Sequence, residues 1–85
     1  MQIKIKKLTN TAIIPTRATQ GSAGYDLYAD IAEPVIIAPG ETKKIGTGVA
    51  ITPPDGTFGA IFSRSGTATK RGLAPANKVG VCDLI

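Results

Sequence analysis

The sequence predicts an all-β fold, and its pattern is typical of a jelly-roll-like antiparallel β-sandwich. Short segments rich in strand-forming residues follow one another about 8–12 residues apart, which is the spacing of all-β domains. Turn-forming Pro, Gly and Asp residues separate these segments. A helical period holds only over a single turn, at residues 65–70. The length of 85 residues allows one small domain, so we expect residues 1–85 to form a single domain.

The individual elements follow from local patterns, taken in chain order. Residues 2–8 alternate Ile with Lys, which is the period-two pattern of a half-exposed strand. A short apolar run over residues 12–15 ends at proline, and the polar residues 17–22 predict a loop. Gly46 and Gly48 interrupt a later apolar segment, which therefore predicts one bulged strand or two shorter strands. That interrupted segment is residues 43–51. The other predicted strands are residues 25–29, 35–37, 57–62 and 78–81.

Composition excludes several kinds of site. The single cysteine cannot form an internal disulfide, and the absence of histidine excludes a His/Cys zinc site. Cys82 lies in an apolar run and is predicted to be a small buried residue. No apolar stretch comes close to the length of about 20 residues that a membrane-spanning helix needs. Residues 1–8 also lack the continuous apolar core of a signal peptide, so we expect a reducing, cytoplasmic setting.

The chain is basic, with a formal net charge of +4 that favours an anionic ligand or nucleic acid. The charges are dispersed, and those near the N-terminus are explained equally well by a solvated strand face. Arg64, Lys70 and Arg71 differ from the others because they flank a Ser-Gly turn.

That turn lies in residues 62–72, FSRSGTATKRG, the best candidate for an anion site. Arg64, the Ser65 hydroxyl and the open backbone of Gly66 follow one another directly after a predicted strand. We predict that Ser65 caps a short helix and leaves backbone amides free for phosphate. A turn with solvated basic side chains explains the same three residues, so the segment is not specific on its own.

Two other segments supply the specificity. Residues 23–29 are AGYDLYA and residues 77–83 are NKVGVCD. Together with SRSGTATKRG at residues 63–72, they resemble three motifs of the trimeric dUTP diphosphatases, or dUTPases, in the family's order. Ser63 stands where the family has Pro, and Cys82 stands where it has Ile. The intervening PGE, TGVAI and PDG also fall in family order, so the resemblance covers nearly the whole chain.

The resemblance implies the same jelly-roll fold and hydrolysis of dUTP to dUMP and pyrophosphate. It implies that Asp83 is the general base for the attacking water, a role open to a carboxylate at a strand end. From the residues alone, Asp83 could instead cap a turn. Asn77, which could also be a plain turn residue, has an amide suited to a pyrimidine edge. The substrate-binding residues implied are Arg64, Ser65, Gly66, Asn77, Gly80, Val81, Cys82 and Asp83.

Magnesium is the cofactor that the resemblance implies. Mg²⁺ keeps several waters and prefers substrate phosphates, so few protein ligands are expected. Asp26 would act on the ion indirectly, through water, although its side chain could also fold back on its own turn. The implied partners are dUTP and dUMP, with no nucleic acid and no membrane, and the implied assembly is a homotrimer.

Family members continue past the position of Ile85. The resemblance implies a Tyr three positions after the general base, a later motif with a water-holding Gln, and a Gly-rich C-terminal arm. We therefore expect the 85-residue chain to be a fragment or truncated form without about the last third of the family fold. Alone, it is expected to hydrolyse dUTP poorly, because solvent exclusion at the phosphates would be incomplete.

Three other functions are weighed against this one. A dCTP deaminase relative would share the fold, but such proteins tend to have Arg-Ser-Ser where this chain has Arg64, Ser65 and Gly66. A small basic β-barrel for single-stranded nucleic acid would need aromatic stacking platforms beside a basic stripe, and the sequence has no such cluster. A non-catalytic dUTPase-like protein that binds nucleotides or regulates a partner stays open on sequence.

Overall fold

The computed structural model describes residues 2–83. The elements are β1 (Lys4–Lys7), β2 (Val49–Thr52), β3 (Gly59–Ile61), α1 (Ser65–Arg71) and β4 (Gly80–Cys82). Within the described range β1 pairs with β2, and β3 pairs with β4, giving two two-stranded sheets. The predicted all-β class is confirmed, since α1 is a seven-residue helix and the only one among the described residues.

The strand predictions are confirmed in part. β1, β3 and β4 lie where the sequence predicted strands, although each is shorter or shifted by a residue or two. Of residues 43–51, only the last part is a strand, because β2 begins at Val49. The strands predicted at 25–29 and 35–37 are wrong, since these segments contain no regular strand and only one isolated bridge, from Asp26 to Thr16. Strand-forming residues favour an extended backbone, but a regular strand also needs a neighbouring strand with which its backbone can form hydrogen bonds.

The chain divides into two compact units, one formed by Met1–Lys4 with Ile51–Ile85 and the other by Ile5–Ala50. The single-domain interpretation of residues 1–85 stays a prediction.

In the Ile5–Ala50 unit, long-range hydrogen bonds connect the segments that lie between β1 and β2. The Asp30 carboxylate accepts hydrogen bonds from the Thr9 and Thr11 hydroxyls, each at 2.6 Å. The Asp30 N–H donates to the Gly46 carbonyl at 2.8 Å, and the Leu8 N–H donates to the Gly48 carbonyl at 2.7 Å. These bonds tie three distant stretches of chain together.

The other unit contains the two-stranded β3–β4 sheet and α1, which lies in the connection between the two strands. The two strands are antiparallel, and Gly59 is paired with Cys82 and Ile61 with Gly80. A Cβ added at Gly59 would lie 3.3 Å from the Cys82 Cβ, and one added at Gly80 would lie 3.3 Å from the Ile61 Cβ. Both glycines therefore make room for the larger side chain of the paired strand.

A tight turn leads into β3 at residues 54–57. The Thr57 N–H donates to the Pro54 carbonyl at 3.1 Å, and Gly56 has φ +76°. A positive φ at the third turn position favours glycine, as the sequence predicted for this Pro-Asp-Gly turn. Among residues 2–83, no helix is long and apolar enough to cross a bilayer.

Candidate functional site

The Arg64–Ser65–Gly66 segment forms the start of α1. Arg64 is the N-cap residue, with extended backbone angles (φ −71°, ψ 146°), and its carbonyl accepts a hydrogen bond from the Ala68 N–H at 3.0 Å. The helix is not capped by a side chain. The prediction that Ser65 caps α1 is therefore wrong, because Ser65 already lies within the helix and its carbonyl accepts a bond from the Thr69 hydroxyl at 2.7 Å.

The C-terminal end of α1 is closed by Gly72. This glycine has left-handed backbone angles (φ 64°, ψ 27°), and its N–H donates to the Thr67 carbonyl. The Leu73 N–H donates to the same carbonyl at 3.2 Å. The Ser63 hydroxyl lies 3.3 Å from the Leu73 carbonyl and 3.1 Å from the Arg64 carbonyl. Ser63, where the sequence departs from the family's proline, thus bridges the two ends of the helical segment.

A shallow depression of about 270 Å³ lies on one face of α1. Apart from its chain neighbours and the backbone of α1, no heavy atom would come within 4 Å of a Cβ placed at Gly66, so the backbone there is open to a ligand. Three of the lining side chains are cationic and exposed, which suits an anion. Ser65 is not among the lining residues, which are Arg64, Gly66, Thr67, Lys70 and Arg71.

Asn77 lies in the tight turn that precedes β4. The Val79 N–H donates to the Asn77 carbonyl at 2.7 Å, forming a γ-turn around Lys78, whose φ is +66°. A non-glycine residue in this region stores about 1–3 kcal/mol of strain. The Asn77 amide nitrogen lies 3.8 Å from the position that a Cβ would take at Gly80. No sequence signal predicts this turn, because Lys has no preference for positive φ.

β4 carries the remaining predicted residues to the end of the described range. Val81 is exposed. Cys82 has a free thiol and is half-buried, whereas its position in an apolar run predicted a buried residue. The Cys82 Sγ lies 3.6 Å from the Ile51 carbonyl oxygen. Asp83 follows β4 directly and is exposed to solvent. Neither Asn77 nor Asp83 lines the depression beside α1, although all of these residues belong to the same unit.

Asp26 lies in the Ile5–Ala50 unit, where a hairpin-like loop of residues 16–26 presents it. Asp26 is half-buried, its N–H donates to the Thr16 carbonyl at 2.7 Å, and its carbonyl accepts from the Thr16 N–H at 3.4 Å. The Tyr28 and Thr16 hydroxyls share a hydrogen bond of 2.6 Å. These contacts fix the backbone on both sides of the Asp26 carboxylate.

Arg17 organises the same loop, a role that the sequence analysis missed. Its Nη2 donates to the carbonyls of Gln20 at 2.5 Å and Ser22 at 2.7 Å, and its Nε donates to Ser22 at 3.2 Å. Its guanidinium also lies 5.9 Å from the centroid of the exposed Tyr25 ring. An arginine in a polar loop is no signal by itself, because its partners are backbone carbonyls.

Comparison with known proteins decides the family. The sequence model of the dUTPase family matches residues 10–83. The chain belongs to the dUTPase family. The resemblance drawn from the three motifs is thereby confirmed, and all three motif segments of this dUTPase-family chain fall within the matched residues.

Individual relatives agree with this assignment. A deoxyuridine 5′-triphosphate nucleotidohydrolase from Orientia tsutsugamushi (strain Ikeda) is 45% identical over 98% of this chain and 58% of its own length. The protein of that name from Psychrobacter sp. (strain PRwf-1) is 54% identical over 82% of this chain and 46% of its own length. The one from Nocardia farcinica is 44% identical over 95% of this chain and 48% of its own length. The chain thus spans about half the length of the curated relatives it matches.

Proposed function

We propose that this protein hydrolyses dUTP to dUMP and pyrophosphate. The observation that carries the proposal is the depression beside α1, where Arg64 and the open backbone of Gly66 lie together in a dUTPase-family chain. A guanidinium can donate two parallel hydrogen bonds to phosphate oxygens, and an unobstructed glycine lets a phosphate approach the backbone. Ser65, exposed beside them, adds a hydroxyl.

In this proposal Asp83 is the general base. Its carboxylate takes a proton from a water molecule, whose oxygen forms a bond to the α-phosphorus while the bond from that phosphorus to the bridging oxygen breaks. Pyrophosphate leaves and dUMP remains. The exposed position of Asp83 at the end of β4 supports the role, since the carboxylate is accessible to water and substrate.

The turn before β4 and β4 itself would bind the uracil ring. Asn77 offers an acceptor and two donors in one plane, and the strained turn around Lys78 holds it next to Gly80 at the start of β4. Gly80, Val81 and Cys82 would contribute backbone groups. A base that leaves these polar groups unpaired is rejected strongly, which would separate uracil from other bases.

Mg²⁺ is the metal that we propose for the reaction. Residues 2–83 contain no group of three His, Cys, Asp or Glu side chains that could hold a metal ion. This donor set fits an ion held mainly by substrate phosphates and water, with Asp26 acting through water. When bound, the ion neutralises phosphate charge.

We also propose that the protein works as a cytoplasmic homotrimer with no nucleic-acid partner. Large apolar side chains on or beside the β3–β4 sheet are exposed, with Phe58 at 61%, Phe62 at 68% and Val81 at 63%. Exposed large apolar side chains are typical of a subunit interface, which supports burial of the β3–β4 sheet in an assembly.

The test measures pyrophosphate release from dUTP in the presence of Mg²⁺. The 85-residue chain is compared with the same chain extended by the C-terminal segment of its Orientia relative. We expect the extended protein to prefer dUTP over dTTP and dCTP, and Asp83→Asn to lower kcat by about 10²–10⁴-fold. Asp55→Asn, at an exposed turn, is the matched control and should leave kcat unchanged. Turnover of Asp83→Asn within about threefold of the parent would remove Asp83 from the mechanism, and deamination of dCTP would favour the deaminase alternative.

A further inference from the structure

Asp55 and Gly56 form the exposed tip of the turn that leads into β3, and neither takes part in the function proposed above. Asp55 is the only Asp or Asn of the sequence that is followed by glycine. We propose that this pair is a site of spontaneous covalent modification, at which Asp55 isomerises to isoaspartate through a cyclic imide. The proposal does not depend on dUTP hydrolysis.

The reaction needs no reagent other than water. The backbone nitrogen of Gly56 forms a bond to Asp55 Cγ, and the hydroxyl of the carboxyl group leaves as water with the Gly56 amide proton. Water then opens the resulting succinimide ring. Addition at Cγ restores aspartate, whereas addition at the backbone carbonyl carbon leaves a main chain that runs through Cβ and Cγ and a free α-carboxylate. One water molecule is released and one is taken up, so the composition of the protein does not change.

Both reacting groups are unrestrained in the folded protein. Asp55 and Gly56 are exposed, and among residues 2–83 neither the Asp55 carboxylate nor the Gly56 N–H has a hydrogen-bond or ion-pair partner. Apart from its chain neighbours, no heavy atom would lie within 4 Å of a Cβ placed at Gly56. Because glycine has no Cβ, its nitrogen is unhindered and the peptide group can rotate towards the carboxyl carbon.

The restraints on the turn act on the flanking residues. The Thr57 N–H donates to the Pro54 carbonyl at 3.1 Å, and the Thr57 hydroxyl donates to the same oxygen. Each such bond alters a local equilibrium by at most about tenfold. The two bonds together should therefore slow the reaction by no more than about 100-fold relative to the unfolded chain.

Other aspartates of the chain differ from Asp55 in the features that the reaction needs. Asp30 accepts two threonine hydroxyl bonds of 2.6 Å and is followed by Ile31, whose branched side chain crowds the attacking nitrogen. Asp26 is followed by Leu27, which also has a Cβ. These two aspartates serve as internal controls in the same molecule.

Isomerisation would loosen the entry to β3. It inserts one carbon atom into the main chain between Pro54 and Thr57, so the hydrogen bonds across the turn cannot keep their geometry. β3 begins two residues later at Gly59, whose partner in β4 is Cys82. The end of the β3–β4 pairing nearest the turn is therefore the first part of the sheet that the modification would disturb.

The experiment incubates the folded 85-residue chain in water enriched in heavy oxygen and then maps its peptides by mass spectrometry with electron-transfer fragmentation. Ring opening places heavy oxygen at residue 55, and fragmentation distinguishes isoaspartate from aspartate. We expect at least about tenfold more isoaspartate at Asp55 than at Asp26 or Asp30, a difference of about 1.4 kcal/mol in barrier. The Thr57 amide should exchange hydrogen faster in the isomerised protein.

Asp55→Glu is the matched variant, because it keeps the charge but must close a larger ring. It should take up at least about tenfold less heavy oxygen at this position and unfold at the temperature of the parent. The urea-unfolded parent is the positive control. Equal isoaspartate at Asp26, Asp30 and Asp55 would overturn the proposal, as would equal labelling of Asp55→Glu. A folded-state rate at Asp55 more than about 100-fold below that of the unfolded chain would show that the fold protects the turn, and would also overturn it.

Discussion

The Asp30 carboxylate accepts a hydrogen bond from the Thr9 hydroxyl at 2.6 Å, across 21 positions of the chain. The same Thr9 hydroxyl oxygen accepts a bond from the Ala12 N–H at 3.0 Å, and Ala12 is buried, with 4% of its surface exposed. One threonine therefore joins the loop after β1 to the segment that precedes β2. This cluster is one of the long-range polar contacts that hold the Ile5–Ala50 unit.

The cluster predicts acid sensitivity. Hydrogen bonds from Thr11 and Thr9, with a smaller contribution from the charge of Lys7, lower the pKa of Asp30 from its ordinary 3.8. Because the folded pKa is below the unfolded one, ionised Asp30 stabilises the fold above the unfolded pKa, and this contribution is lost as pH falls through the folded value. Thr11→Val should raise the pKa of Asp30 and reduce stability at neutral pH.

Carbon-detected NMR titration of Asp30, with urea unfolding at each pH, checks this expectation. Thr52→Val, at an exposed strand position, serves as the control and should leave both quantities unchanged. An Asp30 carboxyl that titrates at its ordinary value in the parent would contradict the assigned hydrogen bonds.

Position 48 is predicted not to tolerate any residue larger than glycine. A Cβ there would lie 2.6 Å from Asp30 Oδ2 and 2.9 Å from the Ala12 Cβ, and φ is +70°. Gly48→Ala should destabilise the protein by more than about 2 kcal/mol, since left-handed strain and overpacking add together. Gly46→Ala is the control, because a Cβ at Gly46 meets nothing within 4 Å. Thermal unfolding of the two variants should differ clearly, and equal midpoints would argue against the packing at Gly48.

Arg17→Lys should loosen the loop that presents Asp26. Lysine keeps the charge but cannot reproduce the guanidinium hydrogen bonds to Gln20 and Ser22. We expect faster hydrogen exchange at the Ser22 and Asp26 amides, with a loss of about 0.5–1.5 kcal/mol in local stability. Arg71→Lys, at an exposed helix position, should leave exchange in this loop unchanged. Unaltered exchange in Arg17→Lys would show that the loop is held by its backbone contacts alone.

Gly66→Val should weaken nucleotide binding without harming the fold. A side chain at this position has space in the free protein, so any loss reflects obstruction of the ligand. Calorimetric titration with a nonhydrolysable dUTP analogue should show at least about tenfold weaker binding, which corresponds to about 1.4 kcal/mol. Circular dichroism and thermal unfolding should match the parent. Parent-like affinity in a folded Gly66→Val protein would argue against phosphate approach at this backbone.

Sequence patterns predicted part of the candidate site and missed the rest. The motif around Arg64 predicted a basic turn and a short helix, and both are present because helix and turn preferences act over a few consecutive residues. The prediction that Ser65 is the N-cap of α1 was wrong by one position, because the N-cap is Arg64, whose carbonyl accepts the first helical hydrogen bond. Arg17 and the strained turn at Lys78 left no sequence signal, because backbone groups supply their partners.

By itself, the sequence determined the all-β class, the approximate positions of β1, β3, α1 and β4, and the family. Each of these depends on alternation, turn residues or motif spacing, which are properties of neighbouring positions. Only the tertiary structure decided that residues 25–29 and 35–37 form no strand, that Asp30 bonds to Thr9, and that Lys70 shares a depression with Arg64. Pairing, long-range hydrogen bonds and shared cavities depend on where a distant segment lies in space, and a local pattern of residues does not contain that position.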